Sequence, residues 1–216
     1  MSNLPIVPIC DLWHSRDAKE WDVALERYWD LIPCDNVALE KEMEQLNPER
    51  IRQMSPNQWF NFLRDKYFPW KFTQCNLREA NLSRLRQKGE TENGRQELHR
   101  IKEQILSIDC ENIHDSICVV SQIPGLATAG ASGLLALLYP KKFGTVDQFV
   151  VKALRGIPDL PEALAIARMK EKNLKCDDGE VLVKIMRRHA GVLTSALGKR
   201  WRPRDVDKVL WTYGRE

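Results

Sequence analysis

The chain is 216 residues long, 43% hydrophobic and 29% charged, with a formal net charge of +3. That length suits one large domain or two small lobes sharing an interface, and the composition excludes disorder at scale. No run of about 20 apolar residues occurs, which excludes a membrane-spanning helix. The opening MSNLPIVPIC lacks a basic segment and contains two prolines. It does not read as a signal peptide, and a cytoplasmic protein is expected.

The charge is uneven. Residues 1–50 carry eleven acids and five bases, a balance of −6, so the remainder carries +9. Residues 184–204 hold seven Lys or Arg and no acid. Such a stripe attracts phosphate or is a solvated helix face, and charge alone does not decide between them. The six cysteines (Cys10, Cys34, Cys75, Cys110, Cys118, Cys176) stand at least eight residues apart, and the four histidines are equally scattered. No local zinc or iron–sulfur spacing results, so buried thiols, no metal and no cofactor are expected.

In chain order the texture is helical. Residues 17–32 put Trp21, Leu25, Tyr28, Trp29 and Ile32 on one stripe, with Ser15 or Asp17 as the cap. Ser55 followed by Pro56 opens a helix that buries Trp59, Phe60 and Leu63, and Pro69 should end or kink it. Helices are expected over 77–88 and 95–108, parted by the polar loop QKGETENG. A short apolar segment, His114 to Val120, follows. Residues 159–170 and 176–197 have helical periodicity, and a last helix begins near Pro203 with Val206, Leu210 and Trp211. No strand pattern, repeat or flexible linker is found.

The informative stretch is 123–154. Ile123-Pro124-Gly125-Leu126 is a tight-turn signal after the apolar segment, and Ala129 to Leu138 reads as a helix with small residues on one side. A short helix, a glycine turn and a small-residue helix make a helix-hairpin-helix, about residues 114–139. Its turn leaves backbone N–H groups facing outward at a helix N-terminus, which suits a phosphate.

This stretch resembles the helix-hairpin-helix (HhH-GPD) superfamily of base-excision DNA glycosylases, in which a turn of the form L-P-G-x-G precedes V-D-x-x-V. Here Ile123-Pro124-Gly125-Leu126-Ala127 precedes Val146-Asp147-Gln148-Phe149-Val150, with Asp147 lying 22 residues after Gly125. The resemblance covers about 32 residues strongly; the C-terminal WRPRDVDKVLWTYGR resembles the end of an uncharacterised bacterial family with the same hairpin. Two positions depart from the pattern. Ala127 replaces the second glycine, and Ala129 stands where bifunctional members carry a lysine, eighteen residues before the aspartate.

The resemblance implies an all-α, two-lobed fold. One lobe would hold residues 55–144, ending in the hairpin, and the other residues 1–54 with 145–216. It implies a monofunctional glycosylase acting on a damaged or modified base, in repair or in defence against modified DNA. The protein would be a monomer at the bacterial nucleoid, bound to double-stranded DNA with one nucleotide extruded. Asp147 would stabilise the oxocarbenium ion and activate water; the competing reading is that it merely caps the helix QFVVKAL. Gly125, Leu126 and Ala127, with Lys141, Lys142, Arg187 and Arg188, are the candidate phosphate contacts; Lys199, Arg200, Arg202 and Arg204 follow. Tyr67, Trp70, Lys71, Gln148 and Trp201, with Trp13, are candidates for the base pocket. Lys71 and Lys152 are the lysines considered as substitutes for the one absent at 129, though no spacing favours either. The alternatives are a non-catalytic hairpin module that binds DNA or a protein, and an unrelated helical scaffold.

Overall fold

The structure is a computed structural model that describes residues 7–215. It contains α1 (Ile9–His14), α2 (Ala18–Asp30), α3 (Val37–Glu44), α4 (Pro48–Arg52), α5 (Pro56–Phe62), α6 (Phe68–Lys71) and α7 (Cys75–Gly89). There follow α8 (Glu92–Leu106), α9 (Ile113–Val120), α10 (Thr128–Leu138), α11 (Gln148–Arg155), α12 (Ala163–Arg168), α13 (Cys176–Leu197) and α14 (Pro203–Arg215). No strand occurs among the described residues, so the fold is all-α. None of these helices is long and apolar enough to cross a membrane.

Local chemistry sets the helix starts. Asp17 caps α2, its carboxylate accepting from the Lys19 N–H at 2.8 Å. Ser55 and Gln58 form a reciprocal capping box at α5, with Pro56 in the first turn. Pro69 neither ends nor sharply breaks the helix that Ser55 opens. A π-helical turn, Leu63–Tyr67, widens the coil and carries it into α6 as far as Lys71. The polar loop expected between α7 and α8 shrinks to the Glu90–Thr91 joint, because Thr91 caps α8 by accepting from the Gly94 N–H. The helix expected over 159–170 survives only as α12.

Two groups of helices pack on each other. In one, α4, α5 and α7 pack on α8; in the other, α2, α11 and α13 pack on α14. The hairpin pair lies between them: α9 packs on α10, α8 and α13. α4 falls with the first group, where Lys102 of α8 is fully buried and donates to the Arg52 and Met54 carbonyls at 3.2 and 2.8 Å. That cation satisfies carbonyls just past the end of α4. A single apolar cluster runs from Leu12 to Leu210 through both groups. α10 is buried on every side from Gly130 to Leu138, not only on its small-residue face.

Candidate active site

The hairpin turn forms because Pro124 and Gly125 fit its two central positions. Leu126 N–H returns to the Ile123 carbonyl at 3.0 Å, and Gly125 has φ +89°. A Cβ at Gly125 would also sit 2.5 Å from the Asn81 carbonyl oxygen of α7. Ala127 needs no glycine: its backbone is extended, φ −100° and ψ −174°, and it is the N-cap of α10. Its methyl side chain cannot cap. The N–H groups of Gly125, Ala127 and the first turn of α10 therefore find no acceptor among the described residues.

The loop after α10 is held from two sides. Ser132 Oγ accepts from the Val146 N–H at 2.9 Å, and Asp207 of α14 accepts from the Thr145 N–H at 2.6 Å. Asp147 then caps α11: Oδ1 accepts from Phe149 and Val150 N–H at 2.9 and 3.2 Å. Its Oδ2 accepts no hydrogen bond among the described residues, and Lys71 Nζ lies 4.0 Å away. Lys71 reaches this point because Gly133 lets the helix end press against α10; a Cβ there would meet Tyr67 Oη at 2.9 Å and Lys71 Cδ at 3.2 Å.

Asp147 lines a cleft of about 950 Å³, together with Trp70, Lys71, Ala129 and Gln148. Phe72, Phe149 and Trp211 add aromatic wall. The size and lining suit a small organic group: mostly apolar, with a few converging polar atoms. Ala129, three residues beyond the Ile123–Leu126 turn, opens on the same cleft as the carboxylate.

The floor is charged. Arg204 is 3% exposed and contacts Asp207 at 2.8 Å, Glu44 at 2.9 Å and Glu40 at 3.1 Å. Lys208 pairs with Glu44 at 2.7 Å. Tyr28 Oη and Trp70 Nε1 donate to Glu40 at 2.6 and 2.5 Å. Burial raises the Asp207 carboxyl to about 7, although Arg204 pulls the other way. Burial works against the Arg204 charge, but Asp207, Tyr28, Glu44 and Glu40 outweigh it and hold the guanidinium above its ordinary range. Burial lowers the Lys71 ammonium, with Asp147 opposing.

The other sequence candidates fall elsewhere. Tyr67 is fully buried under α10, where its hydroxyl donates to the Gly130 carbonyl. Trp201 is core, edge-on to Trp21. Trp13 is core too, stacked 3.6 Å from the His189 ring. Lys152 is exposed on α11 and does not line the cleft. Leu126 turns its side chain into the core. The basic stripe is largely neutralised: Lys184 pairs with Glu180, Arg188 with Glu162, Lys199 with Asp22 and Arg202 with Asp205, and outside it Lys142 pairs with Glu111. Arg187 spends its guanidinium on Glu111 and on the Cys110 and Lys142 carbonyls. Lys141 and Arg200 are exposed without an ion-pair partner among the described residues.

Sequence reasoning missed Glu40 and Asp207 and misplaced Arg204, which is buried beneath the cleft. Their signal was helical spacing: Arg204, Asp207 and Lys208 at i, i+3 and i+4, facing Glu40 and Glu44 at i and i+4. It also missed Arg84, exposed on α7 one turn beyond Asn81, whose carbonyl abuts Gly125. No family model, no curated protein and no solved structure matches the chain.

Proposed function

We propose that the protein is a monofunctional DNA N-glycosylase that hydrolyses the bond between a damaged or modified base and its sugar. One observation carries this reading. Asp147 is fixed through Oδ1 to a helix N-terminus while its side chain lines an aromatic cleft that the first turn of α10, at Ala129, also reaches.

The chemistry follows from the charges. As the base leaves with the bonding electron pair, the sugar becomes an oxocarbenium ion. A carboxylate close to C1′ stabilises that cation and takes a proton from the attacking water. Trp70, Phe149 and Trp211 offer faces for an extruded base, and the Gln148 amide offers a donor and an acceptor. The hairpin N–H groups, with Arg84 one turn along α7 from the residue that abuts Gly125, suit phosphate and hold the duplex without reading sequence; Lys141, past the opposite end of α10, would be a separate contact. Ala129 carries no amine, so strand scission by a Schiff base at that position is absent from this reading.

The test is release of free base from a panel of damaged and modified duplexes by the wild type and by Asp147→Asn. Release by the wild type alone supports the proposal and identifies the base. No release, with salt-sensitive DNA binding equal in both proteins, replaces it with a non-catalytic DNA-binding role.

A further inference from the structure

Away from the cleft, sulfur and nitrogen donors converge where α9 meets the start of α13. Cys118 and Cys176, 58 residues apart in sequence, bring their Sγ atoms to 2.8 Å. His114 lies one turn before Cys118 on the same helix, and both its ring nitrogens are 3.9 Å from the Cys118 sulfur. The donor atoms of the three residues all lie within 4.8 Å of one another, and all three residues are half-buried. Two carboxylates flank the ring: Asp115 at 3.0 Å from Nδ1 and Asp177 at 3.3 Å from Nε2.

The histidine spacings come close to the edges of a tetrahedral zinc site. Ligand bonds of about 2.3 Å to sulfur and about 2.0 Å to nitrogen put sulfur–nitrogen edges near 3.6 Å and nitrogen–oxygen edges near 3.3 Å. The His114–Cys118 separation exceeds the first by about 0.3 Å, and the His114–Asp177 separation equals the second. The sulfurs need to part by about 1 Å to reach a tetrahedral edge. A disulfide would need them to close by about 0.7 Å and would leave His114 paired only with Asp115 and Asp177. Asp115 supplies the outer carboxylate that orients a ligating histidine and directs its other nitrogen to the ion. Soft sulfur with one imidazole selects zinc over magnesium or calcium.

We propose that His114, Cys118 and Cys176 bind one zinc ion, with Asp177 or water as the fourth ligand, clamping the first helix of the hairpin unit to the start of α13. Sequence spacing could not suggest this, because the ligands come from two helices joined only by folding. The proposal is independent of the glycosylase reading and survives its failure.

The test is metal content of protein purified under reducing conditions without chelator, alongside titration of the metal-free protein with Co²⁺. One zinc per chain and thiolate–cobalt charge-transfer bands are expected. Cys118→Ser and Cys176→Ser should each weaken binding at least ~10-fold, and His114→Ala should weaken it too. Cys34→Ser and Cys75→Ser, which alter exposed thiols elsewhere, should match the wild type. A wild type that binds neither metal at about micromolar concentration overturns the proposal. So does a count of four thiols, instead of the six that the sequence provides, in denatured protein from a parallel purification without reductant, which would mean a disulfide. If a serine variant does not fold, the wild-type zinc content, cobalt spectrum and thiol count decide alone.

Discussion

The proposed reading gives Asp147 a second job besides the helix cap, and one substitution separates the two. Asparagine also caps helices, so Asp147→Asn should keep the melting temperature of the wild type and abolish base release. Asp147→Ala should lose release and also about 1 kcal/mol of stability, read by denaturant unfolding. Lys71 tests the hydrolytic reading from the other side. Its amine lies 4.0 Å from Asp147 Oδ2 and burial lowers its pKa, yet the reading makes it only a counter-charge. Borohydride added during turnover should trap no protein–DNA adduct, and strands should break only in hot alkali. A trapped adduct that vanishes in Lys71→Arg would make Lys71 a nucleophile and the enzyme bifunctional. One buried histidine makes stability depend on pH. His189 is 6% exposed against Trp13, and burial lowers it to about 3. Between pH 3 and about 6.5 the unfolded chain binds a proton that the folded chain refuses, so this contribution to stability falls as pH drops. The full effect is on the order of 4 kcal/mol. Asp207, raised to about 7, acts in the opposite sense: its contribution falls as pH rises from about 4 to 7. Relative to wild type, His189→Phe should gain stability from about pH 7 to about pH 4.5, as measured by urea unfolding.

The hairpin is the element whose geometry was most legible in sequence. Pro124-Gly125 demanded a turn, and the distance to Asp147 placed a helix start beyond it. Gly125→Ala should destabilise by about 1–3 kcal/mol, since it adds a Cβ at positive φ against the Asn81 carbonyl. Ala127→Gly should be nearly neutral because the native backbone there is already extended. Arg84→Glu and Lys141→Glu, both exposed, should each weaken DNA binding on all sequences and lower the salt slope by about 1. A single-residue effect of that kind separates a phosphate contact from the neutralised stripe of α13. Capped helices were legible for the same local reason as the hairpin: Asp17 and Ser55 carry their own start signals. α4 carries such a signal in Asn47-Pro48, which went unread, whereas α3 has no side-chain cap and its short apolar side gains stability only from neighbours brought in by the fold.

At the scale of the whole molecule the charged floor binds the two helix groups, and little of it was legible. Arg204 read as one more base in a positive stripe, and Glu40 as one acid among eleven in the first fifty residues. Only the fold makes them partners. Arg204→Met should destabilise by about 3–5 kcal/mol, because it leaves Glu40 and Asp207 buried without their cation and Glu44 with Lys208 alone. The same variant should disturb base release, since Asp207 holds the loop that ends in Asp147. A further consequence concerns synthesis on the ribosome. The cleft draws its walls from Tyr28 through Arg215, and the acid that anchors the Asp147 loop sits in α14. A growing chain can fold α5 to α10 early, yet it has no finished cleft until α14 clears the exit tunnel. Under the proposed reading, the nascent chain would hold Asp147 in an unfinished site and be inert until α14 docks.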